Sequence, residues 1–429
     1  MVELRQLLIV YYVLLKTSNK GIFLRKVSVM FVVGIESGRL GSDNQTRGII
    51  LECLKNAKLP TTEVQLLRSA DGRVLQRNQY NSDTEFHNAV FNTLDIYYNS
   101  LKQNGFPYPD YFALPFDQSK LKEECVYVDM LAGCIKEFAK HIGVKLKTIV
   151  LTSSVYDYQN VDLVHVGRHQ IYHADEILIK NCPDILDKLI ITDGVPSNLD
   201  WCGIEMQANL AQKSTELAKY KNKKIALFSL GGKTANGDIN FTIKDAQNLL
   251  DGAQKLKAQS YEVIFTNSPR TPNDVTDFLY ENCSIDGFAF YNSKRITDSA
   301  QDAIDNFTIY YGKYNQEFKQ QAQNIGGNIY PAILCLCRNS GFVLNTWDSF
   351  SYTSDAASLG ITSIVYNGNY INTQNREDCK NLLDNCNNAG YIKIFDEDFI
   401  NLPEKDKKTK IMPIVNKTIY DEMRKRAGF

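Results

Sequence analysis

Apolar positions along this chain fall into short runs rich in branched residues, each followed by a small-residue or polar loop and then by a stretch with helical spacing. VSVMFVVGI (27–35) reads as a strand covered on both faces. The loop ESGRLGSDNQ follows, and then a helix with Ile49, Ile50, Cys53 and Leu54 as its buried stripe and Asp43 or Asn44 as its cap. KTIVLTSS (147–154), VDLVHVGRH (161–169) and DKLIITDGVPSNL (187–199) repeat the strand-then-loop unit. From 65 to 147 the pattern is weaker: helical spacing around 86–101 and 128–141 flanks FPYPDYFALPFDQ, whose prolines read as turns. A polar helical segment, IEMQANLAQKSTELAKYKNKK, separates this series from a second one that starts at KIALFSLGG (224–232). The second series continues through YEVIFTNSPRTP, IDGFAFYN, SGFVLNTWDSF and ITSIVYNGN, and the apolar run holding Cys335 and Cys337 reads as a further strand.

Two successive series predict an α/β protein of two facing Rossmann-like, doubly wound domains with a central cleft. The expected boundaries are an apolar extension at 1–26, a first domain at 27–204, a linker helix at 205–223, a second domain at 224–412, and a closing helix at 413–429 that crosses back onto the first. Size supports the division, because 429 residues exceed what a single core of about 250–300 residues holds.

A formal net charge of −1 gives no overall pull toward nucleic acid, so an anion site has to be local. The ten cysteines show no zinc spacing and read as buried free thiols of a reducing, cytoplasmic compartment. LLIVYYVLL (7–15) is about half the length a membrane-spanning helix needs. Glu3, and the lack of a small-residue cleavage pattern after the run, count against a signal peptide. A packing helix and a tail added by an upstream start fit this segment better than a peripheral contact with a membrane.

Ligands of open α/β sheets bind beyond the carboxyl ends of the strands, which directs attention to the loops there. GGKTANGD brings Gly231 and Gly232, whose backbone N–H groups approach a phosphate without obstruction, with Lys233 and Thr234 adding charge and a hydroxyl. TNSPRTPNDV brings Ser268 and Arg270 ahead of a helix start in which Thr271 caps, Pro272 takes the first position and Asp274 lies in the first turn. NTWDSFSYTSDAASLG brings Asp348, Ser349, Ser351, Ser354 and Asp355 to another helix start, where the macrodipole favours an anion and a carboxylate suits ribose hydroxyls. In the first series Gly38, Arg39 and Gly41 occupy the first strand end. His165, His169 and His173 are spaced four apart, but Gly167 and the strand pattern argue against their sharing one helix face, so no metal site is expected. His169 alone, at a strand end, suits a general base. No nucleophile elbow, Walker loop or dinucleotide fingerprint occupies a strand-to-helix junction.

SGRLGSDNQTRGI, VDLVHVGRHQ with IITDGVPSNL, LGGKTANGDINFT, TNSPRTP and TWDSFSYTSDAASLGITSIV together resemble the family of the plant mitochondrial fission factor known for its elongated-mitochondria mutant, with its bacterial relatives. In the two most specific loops Pro269 replaces an arginine, Asp355 replaces a glutamate, and Thr362-Ser363 replaces Lys-Pro. The resemblance implies a GT-B-like, bacterial-type glycosyltransferase with the nucleotide-sugar donor on the second domain and Arg39 and His169 toward the acceptor, a glycan or lipid-linked molecule. Arg270 and the serine-bearing helix start would offset the leaving diphosphate, so neither a metal nor a cofactor beyond the donor is expected. The family's cellular role implies the alternative, a non-catalytic adaptor that recruits a protein partner at a membrane.

Overall fold

The computed structural model describes residues 30–38, 40–58, 64, 66–116, 121–199, 219–234, 237–268, 270–291 and 330–428. The apolar segment at 7–15, Arg39 and most of the expected linker helix lie outside them. The chain divides into two units, residues 1–198 with 414–429, and residues 199–413.

The first unit is built on β1 (Val32–Gly34), β2 (Tyr111–Leu114), β3 (Lys147–Val150), β4 (Leu163–Gly167) and β5 (Leu189–Thr192), all parallel and hydrogen-bonded in that order. Its helices are α1 (Leu40–Asn56), α2 (Asp83–Gln103), α3 (Leu121–His141), α4 (His173–Asn181) and, from the chain's end, α12 (Val415–Ala427). Ile35 N–H bonds to Ala113 O of β2, whereas Gly34 O and Glu36 N–H bond to Leu67. The chain therefore adds a short strand on one edge of β1 before crossing to the other, which makes β1 the switch point of the winding. Alternation along β2 shows why both faces carry helices: Tyr111 and Ala113 pack with α1 and α12, Phe112 and Leu114 with α2 and α3. In α2, Ser82 accepts from Glu85 N–H as N-cap, and Phe86, Val90, Leu94, Tyr97 and Leu101 form the buried stripe.

The second unit holds β6 (Lys224–Ser229), β7 (Tyr261–Thr266), β8 (Ala289–Tyr291), β9 (Gly341–Thr346), β10 (Thr362–Tyr366) and β11 (Lys393–Ile394). They form one parallel sheet in the order β11-β10-β9-β6-β7-β8. Successive strands thus run outward from β6 to β8, then restart at β9 on the other side of β6. This is the doubly wound dinucleotide-fold order, and its switch point lies between β6 and β9. α5 (Ile243–Ala258), α6 (Asn273–Asp286) and α9 (Glu377–Ala389) contribute to one core, while α7 (Tyr330–Ser340) and Ala356 of α8 (Phe350–Ser358) contribute to the other. The short helices α10 (Glu397–Asn401) and α11 (Glu404–Lys407) follow β11.

Five local expectations are corrected. FPYPDYFALPFDQ contains β2, fully buried between β1 and β3; the prolines lie outside the four strand residues and so cost no ladder bond. Cys335 and Cys337 lie on α7, not on a strand, because this apolar run is covered by the sheet along a helical stripe of Tyr330, Ile333, Leu334 and Cys337. α1 begins at Leu40, ahead of Asp43, whose carboxylate turns back to accept from Ser37 N–H and Oγ at 2.7 and 2.8 Å. Gly38 makes that turn with φ +72, a backbone that residues with a Cβ rarely take. Pro272, not Thr271, is the N-cap of α6 and Asn273 its first residue. Among the described cysteines, which are free thiols, Cys182 is exposed rather than buried.

Candidate functional site

In the second unit the turn after β6, the turn after β7 and the turn after β9 are drawn together at the switch point. Gly231 N–H donates to Thr346 Oγ1 at 2.6 Å, and Thr271 Oγ1 donates to Gly231 O at 2.5 Å while accepting from Ser268 N–H at 3.0 Å. Lys233 N–H reaches Arg270 O at 2.9 Å. The approach is so close that a Cβ at Gly232 would lie 2.0 Å from Arg270 O, and one at Gly231 would lie 2.2 Å from Asp348 Oδ2. Both glycines are needed for space.

Asp348 sits where these turns meet. Its carboxylate accepts from Gly232 N–H at 3.2 Å, from Tyr370 O–H at 3.2 Å and from Arg270 Nη2 at 2.7 Å. Ser349 is the N-cap of α8, is buried, and lies 3.4 Å from Thr346 through the two hydroxyl oxygens. The Arg270 side chain is 41% exposed, and Lys233, on the neighbouring turn after β6, is exposed as well. The arrangement offers a guanidinium, a helix start and glycine-rich backbone at one strand-end cluster, which is the chemistry that takes an anion.

Other expected donor residues are placed differently. Thr234 Oγ1 accepts from Ile239 N–H and so closes its own hairpin. Ser351 is half-buried, whereas Ser354 and Asp355 are buried inside α8. The Tyr352 hydroxyl is pushed up to about 12 and Tyr330 further still, first by burial and then by the charge of Asp355, which places that carboxylate beside two tyrosines. Thr346 and Tyr370 were not singled out from the sequence. The signal that finds them is position, since Thr346 ends β9 and Tyr370 follows β10 at the same end of the sheet.

In the first unit His165 is buried in β4, with Nδ1 accepting from Thr152 N–H at 3.0 Å and Nε2 against Thr192 Oγ1 at 2.8 Å. Burial, with a smaller contribution from His169, lowers its pKa to about 3, so it is neutral and structural. His169 lies in the 3-10 turn Arg168–Gln170 and is buried, its ring filling the space where a Cβ on Gly167 would be 2.4 Å from Cε1. His173 opens α4 and is exposed, so the three histidines face different surroundings. Arg168 is exposed and pairs with Asp193 at 2.8 Å.

Residues 137–306 match the family model described as Mitochondrial fission ELM1, a span that takes in three of the five motif groups carrying the resemblance and stops short of the α8 loop. No curated protein matches the chain in sequence. Among solved structures the chain is similar to the Methanocaldococcus jannaschii UDP-GlcNAc 2-epimerase in complex with UDP-GlcNAc and UDP, at 11% identity and a TM-score of 0.39, covering 93% of this chain and 99% of that one. It is also similar to OtsA in its apo form, at 10% identity and a TM-score of 0.33, covering 93% and 96%. Among the described residues no helix is long and apolar enough to cross a membrane.

Proposed function

We propose that the second unit binds the diphosphate of a nucleotide-sugar and that the protein is a GT-B-like glycosyltransferase acting on a hydroxyl of a glycan or lipid-linked acceptor. The observation that carries this reading is Arg270, half-exposed beside the Gly231–Gly232 turn and the α8 start at the β6/β9 switch point. There the guanidinium and the positive end of α8 would stabilise the charge that grows on the leaving diphosphate. On this reading His169 acts as base only once its turn opens, because its ring is 1% exposed. Arg39 would serve the acceptor side.

A second reading, a non-catalytic adaptor that docks a protein partner at a membrane surface, is favoured by the fission family's match over 137–306. Thermal-shift measurements with UDP-, GDP-, CMP- and ADP-sugars separate the two. The enzyme reading expects one donor to stabilise the wild type, by about 2.7 kcal/mol at a hundredfold excess over Kd, and to leave the melting point of Arg270→Ala unmoved. No shift with any donor favours the adaptor.

A further inference from the structure

Asp348 is expected from the sequence to touch the donor itself; its surroundings give it another task. The side chain is 0% exposed, and a carboxylate only accepts hydrogen bonds, so it has nothing to offer the oxygens of a phosphate. Instead it gathers one donor from each of three other strand-end turns: Gly232 N–H after β6, Arg270 after β7 and the Tyr370 hydroxyl after β10. The same Nη2 of Arg270 also lies 3.4 Å from the Asp348 carbonyl oxygen. Among the described residues Nε and Nη1 of Arg270 have no hydrogen-bond partner. Pulling the guanidinium off this carboxylate would leave a buried charge without its contacting cation, which is far costlier than parting two exposed groups.

We infer that Asp348 is a positioning residue, a brace that holds one edge of Arg270 inward so that its remaining nitrogens face an anion already oriented. The inference rests on the anion-binding reading above and gives it a sign. A brace makes the carboxylate a helper of anion binding; a latch, in which Asp348 competes with the ligand for Arg270, would make it an opponent. A guanidinium fixed along one edge loses less freedom when the other edge binds, which is the physical gain.

The test is calorimetric titration of inorganic pyrophosphate and of UDP into the full chain, as wild type, Asp348→Asn, Arg270→Ala and the double variant. The brace expects Asp348→Asn to weaken binding by about tenfold and to add nothing once Arg270 is alanine, because its effect passes through that side chain. Tighter binding by Asp348→Asn, unchanged binding, or an equal loss in both backgrounds overturns it; the last is what a merely structural role would give. Absence of binding by the wild type overturns the anion reading and the brace together. If Asp348→Asn does not fold, Tyr370→Phe loosens the same carboxylate without removing its charge. A loss of about threefold that vanishes in the Arg270→Ala background supports the brace, and the same loss in both backgrounds refutes it.

Discussion

Each unit carries an arginine–aspartate pair at the carboxyl end of its sheet, at nearly the same distance. Arg168 after β4 meets Asp193 after β5 at 2.8 Å, and Arg270 after β7 meets Asp348 after β9 at 2.7 Å. Burial and topology separate them. Asp193 is 28% exposed and its pair ties neighbouring strands at the sheet's end, whereas Asp348 is sealed and its pair spans the β6 turn at the switch point. An ion-pair distance therefore says little about consequence; whether the carboxylate can find water when its partner leaves says more.

The two units differ in the same sense elsewhere. All five histidines lie in the first unit, and its buried polar side chains His165 of β4, Asp43 of α1 and Ser153 after β3 are spent on fixing loops from within. The second unit spends Thr346, Thr271 and Asp348 likewise but leaves a cation presented on top of them.

The sharpest way to break the comparison is at the glycines. Gly232→Ala drives a Cβ into backbone and is expected to cost about 3 kcal/mol or more of stability. Gly38→Ala in the first unit meets only a valine methyl at 3.3 Å and is expected to cost about 1 kcal/mol through its positive φ. Equal costs in urea denaturation would refute the tight apposition of the β6 and β7 turns.

Next come the arginines. Arg270→Ala strands a buried carboxylate and is expected to cost about 2 kcal/mol, discounted because the guanidinium is itself half-exposed, against about 0.5 kcal/mol or less for Arg168→Ala. Matched melting curves of the two variants decide this.

The smallest effect per step is acid sensitivity. The unfolded His165 ring takes its proton near 6.5 and the folded ring not until about 3, so between those values the unfolded chain binds more protons and stability falls as pH drops. The contribution is at most about 1.4 kcal/mol per pH unit. His165→Gln should be less stable at neutral pH yet lose less between pH 6.5 and 4; a parallel fall in both proteins, followed by melting temperature, would exclude His165 as the source.

Much of the fold is legible in the order of residues, because a parallel strand covered on both faces must be apolar throughout and a helix between strands must carry a stripe. β4, β5, β6, β7, β9 and β10 follow from that rule, as do α2 and α3. β2 escaped because four apolar residues among prolines carry no periodicity of their own, and Cys335 and Cys337 were misplaced because a short apolar run looks alike in a buried strand and a buried helix.

What the sequence determined by itself is where these loops lie: the glycine pair, Arg270 and the Asp348–Ser349 turn each follow a strand, and chain direction places them at one end of a parallel sheet. What only the tertiary structure decided is which of those residues meet. Strand order, set by which apolar faces can be covered at once, puts β9 rather than β7 or β8 against the other edge of β6, and so seats Asp348 beside Gly232 and Arg270 although 116 and 78 residues of chain separate it from them. Local propensity carries no information about such distant pairings, and burial of Asp355 and Ser354 beneath the α8 surface was invisible for the same reason.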